Sequence, residues 1–142
     1  MNYIDIALKI LKDNGYKQTK PRQKVLEILD KSNESLSAYE ISDKSGKKLD
    51  VVTVYRVLET LEQNNLIHKV VSTGKYRKCY ISEKSNLNKC HHNIICKNCG
   101  YIEEINCEGM NIIEKVISSN SSFKIENHVL EFYGLCQNCK LD

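Results

Sequence analysis

The chain has 142 residues, 41% hydrophobic and 27% charged, with a net charge of +3. That suits one compact domain or two small ones, and no apolar run approaches the roughly 20 residues of a membrane-spanning helix. The charge is uneven: fifteen Lys and Arg against ten Asp and Glu in residues 1–80 (+5), six against eight in residues 81–142 (−2). A basic front half joined to an acidic back half suggests a polyanion-binding unit attached to something else.

Ile4, Ala7, Leu8 and Leu11 recur at the spacing of a helix with one buried face, and Gly15 ends it. Asp5 and Asp13 interrupt any apolar leader there, so the chain is expected to remain in the cytoplasm. Thr19 can cap a second helix with Pro21 in its first turn, burying Val25, Leu26, Ile28 and Leu29. Ser37 and Glu40 have the spacing of a capping box for a third helix, which Gly46 closes. Asp50 caps a fourth, where Val54, Val57, Leu58 and Leu61 share one face. Strands over residues 66–71 and 75–81 flank Thr73-Gly74, read as a two-residue turn.

Helices followed by a basic hairpin match a winged helix-turn-helix over residues 1–82. The polar residues 83–90 read as a hinge. Residues 91–142 form a second unit with strands at 91–96 and 101–105, a helix at about 109–118 and an apolar run at 123–135. The whole is α+β.

With Val54 inward, the exposed N-terminal half of the fourth helix presents Val52, Thr53, Tyr55 and Arg56. This set suits the major groove of double-stranded DNA: apolar surface for thymine methyls and a guanidinium for guanine or phosphate. Lys20, Arg22, Lys69, Lys75, Arg77 and Lys78 could meet phosphates.

Four of the seven cysteines form two Cys-x-x-Cys pairs, Cys96/Cys99 and Cys136/Cys139. In a reducing compartment such pairs read as metal ligands before disulfides. Four thiolates make a closed tetrahedral set that favours one structural Zn²⁺ per chain. That site would tie the start of the back unit to its end.

If the turn has two residues, His68 faces Cys79 across the wing, close enough to share a metal. His91 and His92 point to opposite faces of a strand and so serve different sites. His91 with His68, Cys79 and Glu104 (or Glu103) makes a mixed set suited to Zn²⁺. His92, with Cys90, His128 and Glu108 or Glu114, makes a possible third site. Two ligands of the mixed set lie in the front half and two in the back. Filling it would fix the interdomain angle and, in a dimer, the spacing of the reading helices. A zinc deaminase pattern is missing, since Ile95 and Leu135 precede the pairs and no His-x-Glu occurs. A dithiol redox switch on the same cysteines is the rival of a different class.

Together these residues resemble the ferric uptake regulator family over nearly the whole chain. The resemblance is carried by Thr19-Lys20-Pro21-Arg22, Leu36-Ser37-Ala38, residues 53–58 (TVYRVL), His91-His92, Ile95-Cys96, Cys99-Gly100, Glu104, Asn127-His128 and Tyr133-Gly134 before Cys136. It implies a winged-helix front domain, an α/β homodimerisation domain, and metal-dependent repression at inverted-repeat operators. Metal ions would be the only small ligands. His68-Lys69-Val70 followed by Cys79 resembles the zinc uptake regulator branch, with His68, Cys79, His91 and Glu104 as regulatory ligands. Iron- and peroxide-sensing members commonly carry histidines where this chain has Ser35 and Asn93. An iron- or peroxide-responsive regulator, or a nickel or manganese one, on the same fold is the alternative. Cys90 stands where many members carry His.

Overall fold

The computed structural model describes residues 2–79, 91–106, 109–126 and 128–140, without the side chains of His91 and Asn106. The expected hinge at residues 83–90, which includes Cys90, lies outside the described residues, as do Cys107 and Glu108. The chain divides into two compact units, Met1–Leu87 and Asn88–Asp142.

In the first unit, α1 (Tyr3–Asp13) starts where Asn2 accepts from the Asp5 amide at 2.9 Å. It stops before Gly15, whose φ of +84° few other residues tolerate. Helix α2 (Lys20–Lys31) has Pro21 in its first turn, but Thr19 makes no side-chain cap bond. Helix α3 (Ala38–Lys44) carries the full capping box. Ser37 Oγ accepts from the Glu40 amide at 3.1 Å, and Glu40 Oε2 accepts from the Ser37 amide at 2.7 Å. Helix α4 (Val51–Gln63) is capped by Asp50 and buries Val54, Val57, Leu58 and Leu61. These side chains close on Ala7, Leu11, Val25, Leu26, Leu29 and Ile41, so the four helices share one apolar core.

Strands β1 (Ile67–Val70) and β2 (Lys75–Lys78) form an antiparallel hairpin, extended by a bridge between Leu36 and Tyr76. Its turn corrects the sequence reading. Val70 pairs with Lys75, leaving a four-residue loop at 71–74. The Val70 carbonyl accepts from Thr73 at 3.2 Å and Gly74 at 2.8 Å, and Gly74 has φ +67°. A two-residue turn of the favoured type needs positive φ at both residues, which a β-branched Thr73 disfavours. The pairing therefore shifts by two, and His68 faces Arg77, not Cys79.

The second unit is a three-stranded sheet, ordered β4-β3-β5, and one helix. Strand β3 (His91–Cys96) pairs antiparallel with β4 (Ile102–Asn106) and parallel with β5 (Glu131–Gly134). The parallel pairing needs a crossover, supplied by the stretch that contains α5 (Met110–Ser119). The buried apolar side chains among the described residues of this unit are Ile95, Cys96 and Met110. Ile112, Ile113, Val116 and Ile117 of α5 are about half to two-thirds exposed, and Phe132 and Tyr133 on β5 are exposed as well. So thin a core needs support beyond hydrophobic burial.

Leu58 is fully buried where α4 meets the core. Leu58→Ala is expected to destabilise the first unit by about 2–5 kcal/mol, read as a lower denaturation midpoint in urea.

Candidate metal centres and nucleic-acid face

Two chain reversals carry the four cysteines. After β3, the Gly100 amide donates to the Cys96 carbonyl at 3.0 Å, and the Cys96 amide to the Tyr101 carbonyl at 2.8 Å. After β5, the Cys139 and Lys140 amides donate to the Cys136 carbonyl at 3.0 and 2.9 Å. The Lys97 amide, bonded to the Gly134 carbonyl at 2.8 Å, ties the two reversals together by continuing the β3–β5 ladder.

The four sulfurs then lie within 4.8 Å of one another, with Cys99 and Cys136 Sγ at 3.6 Å. A zinc tetrahedron with sulfur at about 2.3 Å has edges of about 3.8 Å, so the cysteines fit that ion. The site is wired for charge. The Cys136 amide donates to Cys96 Sγ at 3.3 Å, and Asn98 Nδ2 to Cys139 Sγ at 3.3 Å. Amide donors from Cys99 and then Cys136 bring the Cys96 thiol down to about 6. The Tyr101 amide pulls the Cys99 thiol down, but its bonds to the Cys96 and Cys136 sulfurs outweigh this and push it up to about 11. Cys96 is thus the sulfur that favours the thiolate, while the Cys99 and Cys139 thiols are pushed up. A metal displaces such protons on binding.

On the wing, His68 is half-buried on β1 and Cys79, just past β2, is buried. The Cys79 amide donates to the Leu66 carbonyl at 3.0 Å, which continues the ladder and puts Cys79 diagonal to His68. Diagonal neighbours on one face of a hairpin remain within reach of each other. Accordingly a His68 ring nitrogen and Cys79 Sγ lie within 4.8 Å. The corrected register therefore keeps the pair together by a different geometry. The two other expected ligands belong to the second unit. Glu104 is half-buried on β4 opposite Asn93, while Glu103 is exposed. The backbone of His91 pairs with Asn106, and its side chain lies outside the description.

Of the third set, His92 is buried on β3, its ring centroid 5.2 Å from that of His128. His128 Nδ1 lies 2.8 Å from Glu114 Oε1, so α5 supplies the carboxylate described here. Cys90 and Glu108, the other expected members, lie outside the described residues.

The nucleic-acid face begins at the N-terminus of α4. Val52 is 61% and Tyr55 47% exposed, and Arg56 is exposed. Thr53 is less available than its position suggests. Its hydroxyl donates to Asp50 Oδ2 at 2.7 Å while its amide donates to Asp50 Oδ1 at 2.9 Å. Some expected phosphate contacts are also engaged. Lys75 Nζ lies 3.0 Å from Glu40 Oε1, and Lys78 Nζ 2.8 Å from Asp30 Oδ1. The Ser37 amide and then Lys75 hold the Glu40 carboxyl below its usual range. Arg22 stacks over Tyr16 at 5.3 Å and donates to the Lys17 carbonyl. Lys69 sits over the Tyr76 ring at 5.8 Å. Lys20 is exposed, and Arg77 half-buried. Sequence reading missed these pairings because Glu40 and Asp30 lie 35 and 48 residues from their partners. It also missed the exposed face of α5, although Ile112, Ile113, Val116 and Ile117 crowd one short helix.

Residues 13–133 match the family model described as the ferric uptake regulator family. The ferric uptake regulation protein of Legionella pneumophila is 36% identical over 134 residues, 92% of this chain and 96% of that one. The zinc uptake regulation protein of Escherichia coli K12 is 29% identical over 136 residues, 94% of this chain and 78% of that one. Among solved structures, a zinc uptake regulator complexed with zinc and DNA has a TM-score of 0.85 at 28% identity, covering 97% of this chain and 93% of that one. The iron-bound ferric uptake regulator of Francisella tularensis scores 0.58 at 26% identity, covering 89% and 96%. The chain belongs to the ferric uptake regulator family.

Proposed function

We propose that this chain is a zinc-responsive transcriptional repressor, acting in the cytoplasm as a homodimer on inverted-repeat operator DNA and not as an enzyme. The observation that carries the zinc assignment is the His68–Cys79 pair on the wing, with its ligand atoms within 4.8 Å. A thiolate beside an imidazole suits Zn²⁺ better than it suits manganese or ferrous ions, which favour harder donors. The solved zinc regulator with zinc and DNA, similar at a TM-score of 0.85, supports the same reading. Several relatives above 30% identity, including the one from Legionella pneumophila, are ferric uptake regulation proteins. That favours iron as the second reading. Overall identity reports the shared fold, however, and the metal is chosen by the ligands.

In the proposed mechanism, Cys96, Cys99, Cys136 and Cys139 hold a structural zinc that completes the second unit. His68 and Cys79 from residues 1–82, with His91 and Glu104 from residues 91–142, form the regulatory set. Ligands drawn from both sides of the hinge at 83–90 bind a metal together only in one arrangement of the units. Occupancy therefore selects the arrangement competent for two operator half-sites. His92, His128 and Glu114, with Cys90 and Glu108 nearby in sequence, are the candidates for a third set. The exposed α5 residues Ile112, Ile113, Val116 and Ile117 supply an apolar face of the kind a partner subunit covers. Val52, Tyr55 and Arg56 read bases or backbone, and Lys20, Arg22, Lys75 and Arg77 meet phosphates. Lys75 exchanges Glu40 for phosphate when it binds.

Three outcomes test these roles. Gel-shift titration at buffered free metal should show operator binding switched on by Zn²⁺ and not by Fe²⁺ or Mn²⁺; activation by Fe²⁺ alone overturns the zinc assignment. Cys136→Ser should lose about one zinc per chain by native mass spectrometry, and its second unit should melt. A zinc-free wild-type protein with intact fold would refute the staple. Arg56→Ala should weaken operator binding by about 1–3 kcal/mol at unchanged metal content.

A further inference from the structure

Cys79 stands where the wing leaves β2, and its backbone is held from the other end of the domain. The Leu66 carbonyl accepts two hydrogen bonds. One comes from the Cys79 amide at 3.0 Å, the other from the hydroxyl of Tyr3, on the first turn of α1, at 2.7 Å. Leu66 is fully buried, so this carbonyl has no water to turn to. A second tether acts one residue before Cys79. Lys78 Nζ donates to Asp30 Oδ1 at 2.8 Å and to the Asp30 carbonyl at 3.1 Å, and lies over the Tyr3 ring at 5.7 Å. Burial first, and then the neighbouring Cys79 and Asp30, push the Tyr3 phenol far above its ordinary range. The hydroxyl therefore stays protonated and remains a donor.

We propose that Tyr3 is a positioning residue for Cys79: its hydroxyl fixes the Leu66 carbonyl to which the Cys79 amide is bonded, so α1 sets where the thiol stands beside His68. The inference rests on the reading of Cys79 as a regulatory metal ligand and adds α1 to that site. A hairpin end held only by its own ladder would fray, because terminal pairs have no neighbour beyond them. Two long-range tethers, 63 residues from Tyr3 to Leu66 and 48 from Lys78 to Asp30, remove that freedom before a metal arrives. Groups that orient metal ligands from behind are commonly worth 10–100-fold in affinity.

Tyr3→Phe keeps the ring and removes only the hydroxyl. In the full-length dimer with its cysteine-rich zinc retained, Co²⁺ titration followed at the thiolate charge-transfer band should show binding weakened about 10-fold or more. Cys79→Ser is the reference, and abolishes the band. A parallel readout needs no metal at the site. Alkylation of Cys79 by N-ethylmaleimide, followed at its peptide by mass spectrometry, should be several-fold faster in Tyr3→Phe. Asp30→Asn, which weakens the second tether and spares the hydroxyl, should shift both readouts the same way by less. Unchanged Co²⁺ affinity and unchanged Cys79 alkylation in Tyr3→Phe would overturn the positioning role. A band that survives Cys79→Ser would instead refute Cys79 as ligand; the alkylation rates would still decide the role of Tyr3.

Discussion

The second unit brings four cysteine sulfurs within 4.8 Å of one another. Its described apolar core amounts to Ile95, Cys96 and Met110, and its only described helix leaves most of its apolar residues exposed. Hydrophobic burial of that size does not repay the entropy of ordering some fifty residues. The β3–β5 pairing brings the two Cys-x-x-Cys reversals side by side, and amide donors favour thiolate at Cys96. A zinc ion held by these four sulfurs would supply what the core lacks and would tie β3, the strand that carries His92, to the end of the unit.

The first unit rests on different physics. Four helices close on a dense aliphatic core, and the hairpin docks through the Leu36–Tyr76 bridge. Such a body can present a recognition helix rigidly. Its surface cations are restrained as well: Lys75 and Lys78 are paired with Glu40 and Asp30. The Lys75–Glu40 pair is more than a third exposed and therefore weak, so a phosphate can displace Glu40 at small cost.

The pair proposed to respond to metal sits on the hairpin of the first unit. His68 and Cys79 meet through a diagonal of the hairpin, which ties ligand geometry to strand register. A two-residue shift in pairing changed which residue faces His68 but not which face Cys79 occupies, because the side-chain period of a strand is two. That is why the nearness of His68 and Cys79 was legible despite a wrong turn.

The sequence by itself determined the local features. Helix caps at Ser37, Asp50 and Gly15, the buried faces of α2 and α4, and the two Cys-x-x-Cys pairs depend on neighbours within a few residues, where periodicity and spacing are informative. Only the tertiary structure decided the rest. The four-residue wing turn follows from a hydrogen-bond choice at Val70 that a Thr-Gly pair does not announce. The Glu40–Lys75 and Asp30–Lys78 pairs and the Tyr3 bond to Leu66 join residues distant in the chain. Such partnerships arise when packing brings separate elements together, and composition or period within one element carries no record of them.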